Sequence, residues 1–221
     1  IFWYKKAAEQ GDTKAQLKLG IVYKNGNGID EDYTQSFYWY KKVAEQGDAI
    51  AQLNVGTMYE FGKGTIQDYT QAVHWYKKAA EQGLAEAQTS LGWFYENGKG
   101  TDKDYTQAIS WYKKAAEQGD TKAKLNLAII YKNGKVAAED YSQAFYWYKK
   151  VADQGNADAQ LNLGLMYEYG KGTEEDYTQA VRWYRKAAEQ GDTIAQLNLA
   201  VMYKYGTGVN EDFSQAVLWY K

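Results

Sequence analysis

The chain has 221 residues, no cysteine and no proline, and its 26 Lys and Arg against 28 Asp and Glu leave a net charge of −2. The missing thiols exclude a disulfide framework and a thiolate metal site, and interspersed charges without a basic stripe argue against nucleic-acid binding. No apolar run approaches the ~18–20 residues that cross a bilayer, so no transmembrane segment is expected.

Along the chain, Trp3, Trp39, Trp75, Trp111, Trp147, Trp183 and Trp219 follow one another at a constant step of 36 residues and account for seven of the eight tryptophans. An unbroken period of that size is the signature of a repeat solenoid. Residues 1–11 read as the remnant of a preceding repeat. Complete repeats follow at 12–47, 48–83, 84–119, 120–155 and 156–191, and 192–221 is a sixth, truncated one. The chain opens and closes at nearly the same phase (Trp3-Tyr4-Lys5 and Trp219-Tyr220-Lys221), which predicts a single array cut from a longer protein.

One repeat, 48–83, shows the local logic. Asp48 is a predicted N-cap, and Ala51, Val55 and Tyr59 fall on one face of a helix, here called A. Gly62 and Gly64 end it. Asp68 caps a second helix, B, and Gln71 three residues on completes the pattern of a capping box. Ala72, Trp75, Tyr76, Ala79 and Ala80 form its apolar stripe, and Gly83 closes it. Gly20, Gly56, Gly92, Ala128, Gly164 and Ala200 mark a close approach between helices, and the ring expected over them is the helix B tryptophan. The fold predicted is all-α.

The repeated Ala-Gln-Leu-Asn-Leu-Gly-Leu-Met-Tyr (159–167) and Trp-Tyr-Arg-Lys-Ala-Ala-Glu-Gln-Gly (183–191), with Gly-x-Gly and Asp-Tyr-x-Gln-Ala between such segments, resemble the Sel-1-like repeat family, relatives of the tetratricopeptide repeats. The resemblance covers the whole chain. It implies a right-handed α-α superhelix of antiparallel helix pairs. It also implies scaffold or adaptor roles, often in the bacterial envelope, periplasm or secreted settings. Some members are disulfide-stapled and linked to β-lactams; a chain without cysteine departs from that branch. Two further departures are Leu84, where Asp usually caps helix A, and Val136, which replaces the second loop glycine of the fourth repeat.

Framework positions recur, so working positions are sought among those that vary. One column of helix A reads Lys18, Asn54, Ser90, Asn126, Asn162 and Asn198. Its asparagines form either a ladder that pairs with a peptide backbone or a packing preference toward a neighbouring helix. The column from Ile21 includes Trp93, the one tryptophan outside the period, which is either a partner anchor or a gap filler near Phe94 and Thr89. The last turn carries Glu60, Glu96, Lys132 and Glu168, with Phe61, Tyr169 and Tyr205 beside them, as a specificity surface or as solvated helix ends. Tyr38, His74, Ser110, Tyr146, Arg182 and Leu218 of helix B are expected on the convex side.

A single histidine, His74, leaves little for a metal cluster or a Ser-His triad, and Gly26-Asn27-Gly28 lacks the strand of a phosphate loop. No cofactor and no catalysis are expected. The partner expected is a protein or peptide held in the concave groove. The alternatives are a carbohydrate or peptidoglycan fragment stacked on groove aromatics, and end-to-end self-association through the cut repeats.

Overall fold

Each helix pair begins from the same local devices, and they are visible from the first repeat to the last. The computed structural model describes residues 1–135 and 140–220. The first unit, Ile1–Asp120, holds α1 (Phe2–Glu9), α2 (Thr13–Asn25), α3 (Tyr33–Glu45), α4 (Ala49–Phe61), α5 (Tyr69–Glu81), α6 (Ala85–Asn97) and α7 (Tyr105–Glu117). The second, Thr121–Lys221, holds α8 (Thr121–Lys132), α9 (Tyr141–Ala152), α10 (Ala157–Glu168), α11 (Tyr177–Glu189), α12 (Thr193–Tyr205) and α13 (Phe213–Trp219). Even-numbered helices are A helices and odd-numbered ones B helices. No strand occurs among the described residues.

Asp68 Oδ1 accepts from the Gln71 backbone N–H at 3.0 Å, and Asp32, Asp104, Asp140, Asp176 and Asp212 repeat this N-cap. Asp12, Asp48, Asn156 and Asp192 do the same for A helices, whereas Leu84 offers α6 no side-chain bond. The capping box is only half realised. The Asp68 N–H turns instead to the Tyr59 carbonyl, 3.0 Å away at the end of α4, and the equivalent bond recurs from Asp32 to Asp212. A tertiary bond thus takes the donor that the box would satisfy, and it fixes the start of each B helix beside the end of its A helix. The two helices therefore run antiparallel.

The small residue of helix A is covered by tyrosine rather than by the expected tryptophan. A Cβ built on Gly56 would stand 2.9 Å from Tyr76 Cδ1, and Gly20, Gly92 and Gly164 meet Tyr40, Tyr112 and Tyr184 in the same way. The tryptophan one residue earlier points along the stack instead. Trp75 packs with Tyr40, Val43 and Ala44 of the preceding B helix and with Ala51, Val55 and Met58 of its own A helix. One residue of α-helix rotates a side chain by about 100°, which separates the two roles. The indole N–H groups of Trp39, Trp75, Trp147 and Trp183 are buried without a partner among the described residues.

Loop glycines set the spacing between repeats. Gly64 has φ +73°, and a Cβ there would fall 1.9 Å from the Tyr33 carbonyl oxygen at the start of the preceding B helix. Gly100, Gly172 and Gly208 lie as close to Tyr69, Tyr141 and Tyr177. Val136, the departure noted at this loop position, lies outside the described residues.

Candidate functional site

With the seam, caps and loops occupied by framework, the outer face of each A helix and one column of each B helix remain variable. Positions 50, 54, 57 and 61 of α4 are spaced i, i+4, i+7 and i+11 and share one helix face. Ile50 and Phe61 are exposed on it, Phe61 at 60%. On α12 the same stripe exposes Ile194, Val201 and Tyr205, and on α10 it ends in Tyr169, both tyrosines being more than 60% exposed. By contrast, every variable helix B residue named from the sequence, His74 among them, is a single exposed position per repeat.

The asparagines are half-buried and in part already engaged. Asn54 Nδ2 donates to the Ile50 carbonyl of its own helix at 2.8 Å, while its Oδ1 accepts from Lys24 Nζ of the preceding repeat at 2.9 Å. Asn162 repeats both bonds, with Asp158 and Lys132. Asn198 lies in the stripe of α12 with Tyr184 as a hydrogen-bond neighbour. Asn126 is half-buried on α8. Among the described residues each amide of Asn54 and Asn162 donates one hydrogen bond, to the Ile50 and Asp158 carbonyls.

Trp93 is half-buried against the core around Phe94 and Leu91, meets the Phe94 ring edge to face at 5.2 Å, and carries Lys99 Nζ 5.0 Å from its centroid. It joins the stripe of α6 as well as filling space. The last-turn carboxylates face inward. Glu60 accepts from Tyr76 Oη at 2.6 Å, Glu96 from Tyr112 Oη at 2.8 Å, and Glu168 from Tyr184 Oη. Burial first, then the bond to the carboxylate, raises the Tyr76 and Tyr184 phenols far above their ordinary value. Where the last-turn residue is lysine, Lys24 and Lys132 reach Asn54 and Asn162 of the next repeat, and Lys132 Nζ also lies 5.7 Å from the Tyr148 ring centroid.

The second unit also holds a cleft of about 450 Å³ lined by Lys132, Tyr141, Asn162, Met166, Tyr169 and Lys171 among others. The Lys132 ammonium is pushed down by burial and then by the positive charge of Lys171.

The model of the Sel1 repeat matches residues 1–12, 13–48, 49–84, 85–120, 121–156, 157–192 and 193–221. This chain is a Sel1 repeat protein. No curated protein matches it. Among solved structures, this Sel1 chain resembles c5321, a protective antigen of uropathogenic Escherichia coli with an SLR fold, at 42% identity and a TM-score of 0.90, covering 98% of this chain and 46% of that one. It spans about half the length of that relative. It also resembles a Sel1 repeat protein of Oxalobacter formigenes at 35% identity and a TM-score of 0.76, covering 94% of this chain and 83% of that one. A putative Sel1 repeat protein from Klebsiella pneumoniae shares 25% identity with a TM-score of 0.53 over 90% of this chain and 97% of its own. Sel1 repeat proteins are generally protein-interaction scaffolds without catalytic activity.

Sequence reasoning gave no role to one Sel1 framework element, the glutamine of Ala-Gln-Leu. Gln52, almost fully buried, donates to the Ala44 carbonyl at 3.1 Å and accepts from Gln82, the residue after α5, at 2.8 Å. Gln16, Gln88 and Gln160 do likewise. The signal was present: two glutamines, 30 residues apart, at the same phase in every one of these repeats. No helix among the described residues is long and apolar enough to cross a membrane.

Proposed function

We propose that this Sel1 repeat protein is a non-catalytic scaffold or adaptor whose repeats, from 1–11 to 192–221, act as one array and hold a protein or peptide segment along the A-helix face that would line the concave groove. The observation that carries this reading is the exposed apolar stripe of Ile50 and Phe61 on α4, Tyr169 on α10, and Ile194, Val201 and Tyr205 on α12. Leaving several large apolar side chains in water forgoes roughly 1.5–3 kcal/mol each, and a partner recovers that on docking. Trp93 would act as an aromatic anchor. Asn54, Asn126, Asn162 and Asn198 would use their remaining amide protons on the partner's backbone, with Glu60, Glu96, Lys132 and Glu168 setting the local charge. No observation of its own favours carbohydrate binding or end-to-end association.

The test is affinity capture from a lysate of the source cells with the native chain, a Phe61→Ala/Trp93→Ala variant and a Tyr205→Ala variant of matched melting temperature. A specific protein recovered by the native chain and lost from the variants supports the reading. Equal recovery by all three overturns it.

A further inference from the structure

Four Asn-Gly pairs occur in the chain: Asn25-Gly26, Asn27-Gly28, Asn97-Gly98 and Asn133-Gly134. In such a pair the glycine nitrogen can attack the side-chain amide carbon, because no Cβ blocks the approach and the glycine backbone turns freely. In a folded chain the outcome depends on what holds that nitrogen.

Three of the pairs close an A helix, and there the glycine nitrogen is engaged. The Gly26 N–H donates to the Val22 carbonyl, that of Gly98 to Phe94 at 2.9 Å, and that of Gly134 to Tyr131 at 3.4 Å. Asn97 is held further by its own amide, which donates to the Trp93 carbonyl at 2.8 Å. Asn27 stands apart, in the loop between α2 and α3. Its backbone N–H donates to the Val22 carbonyl at 3.3 Å, and the Ile29 N–H donates to Gly26 at 3.4 Å. Between them the Gly28 N–H has no partner among the described residues, and neither has the Asn27 side chain. Both residues are exposed, and Gly28 has φ +79°.

The loop is built in the same way elsewhere. Lys63, Lys99, Lys171 and Thr207 donate to Met58, Phe94, Met166 and Met202 from the phase of Asn27. The N–H groups of Gly64, Gly100, Gly172 and Gly208 stay without a partner among the described residues, like that of Gly28. The column of Asn27 reads Asn, Lys, Lys, Lys, Lys, Thr through the six repeats. Only the first repeat therefore sets a side-chain amide beside a loop glycine nitrogen that the helix does not hold.

We infer that Asn27 is a site of spontaneous deamidation and isoaspartate formation, selected by the fold from among the Asn-Gly pairs. The Gly28 nitrogen forms a bond to Asn27 Cγ, the Cγ–Nδ2 bond breaks, and ammonia leaves with the Gly28 proton. Water then opens the succinimide. Addition of water at Cγ restores the main chain with an aspartyl side chain. Addition at the former backbone carbonyl carbon routes the main chain through the side-chain carboxyl group and leaves an isoaspartyl link. Either product exchanges a neutral amide for a carboxylate, so the net charge becomes one unit more negative than −2. The new charge joins Asp30, Glu31 and Asp32 ahead of the N-terminus of α3, where the helix dipole favours it. The site is independent of the scaffold reading.

The experiment is incubation of the native chain in mildly alkaline buffer, with ion-exchange separation of the acidic product and peptide mapping by mass spectrometry. Asn27 is expected to react faster than Asn25 and Asn97 by on the order of tenfold, the factor that about 1.4 kcal/mol confers and the scale on which opening one hydrogen bond slows the other two. In concentrated denaturant the three should react at similar rates, because no helix then holds their glycines. Asn27→Lys, which copies the residue at that phase in the next repeats, should keep the melting temperature and remove the first acidic product. Asn25 or Asn97 reacting as fast as Asn27 in the folded chain overturns the inference. So does a first acidic product that forms unchanged in Asn27→Lys, or a rate advantage of Asn27 that survives denaturation undiminished.

Discussion

Gly92 and Trp93 are neighbours in the chain and belong to different regions of the molecule. Gly92 faces Tyr112 across the seam between α6 and α7, and its column reads Gly, Gly, Gly, Ala, Gly, Ala through the six repeats. Trp93 is half-buried on the edge of the core, and its column reads Ile, Thr, Trp, Ile, Leu, Val. The seam is filled to contact distance, so only residues without bulk are accepted there. The outer column is only partly packed, with Ile21, Trp93 and Leu165 resting on the edges of their core clusters, so its residues have more room to differ. The difference teaches where to look in a repeat protein: constancy marks what the fold needs, and variation on an exposed, apolar face marks what the fold leaves available.

The sharpest way to break this comparison is to add bulk where the framework forbids it. Gly64→Ala places a methyl into the Tyr33 carbonyl at a positive φ, so denaturant unfolding should show a loss of about 3–5 kcal/mol, in the range reserved for strain and overpacking. Gly56→Val should cost about 1–3 kcal/mol or more by forcing the Tyr76 ring aside. Gly56→Ala should cost less than about 1 kcal/mol, because the gain in helix propensity offsets part of the crowding. Ala128 and Ala200, which occupy the same column naturally, lead to the same expectation.

The inward carboxylates sharpen it next. Tyr76→Phe removes the hydroxyl that bonds Glu60 and Thr57 and should cost about 1–2 kcal/mol. Tyr40→Phe, at a ring whose phenol is shifted by burial alone, to about 12, should cost less. These tyrosines also predict an alkaline limit. Their folded-state values lie above the unfolded value of 10.0, so their contribution is fully present below that pH. It is lost as pH rises from there through the folded-state values, about 12 for Tyr40 and Tyr148. Melting temperature should therefore fall above pH 10, and less steeply in Tyr76→Phe. The smallest effect is on the outer face itself: Phe61→Ala should change stability by no more than about 0.5 kcal/mol.

The fold was legible because each of its devices leaves a mark at a fixed phase. Asp68 and its equivalents, the loop glycines and the Trp-Tyr pair identify caps, turns and packed rings without any long-range information. What the sequence misassigned is tertiary in origin. Whether Trp75 or Tyr76 lies over Gly56 depends on the roll of one helix against another, and both rings fit the same amphipathic stripe. Likewise, Gln71 completes a capping-box pattern on paper, but the Tyr59 carbonyl is nearer to the donor. The site was legible only as a set of variable columns. That Glu60 accepts from Tyr76 while Lys132, beside the same-phase Tyr148 ring, donates to Asn162 of the next repeat depends on the partner each finds, and no local pattern encodes that choice.

The measurement that bears most directly on the account is site-specific photocrosslinking to the captured partner, with benzoylphenylalanine placed at positions 61, 93 and 205 on A helices and at 38, 74 and 182 on B helices. Crosslinks from the first set and none from the second are predicted. Crosslinks from 38, 74 and 182 alone would contradict the assignment of the A-helix face as the binding surface.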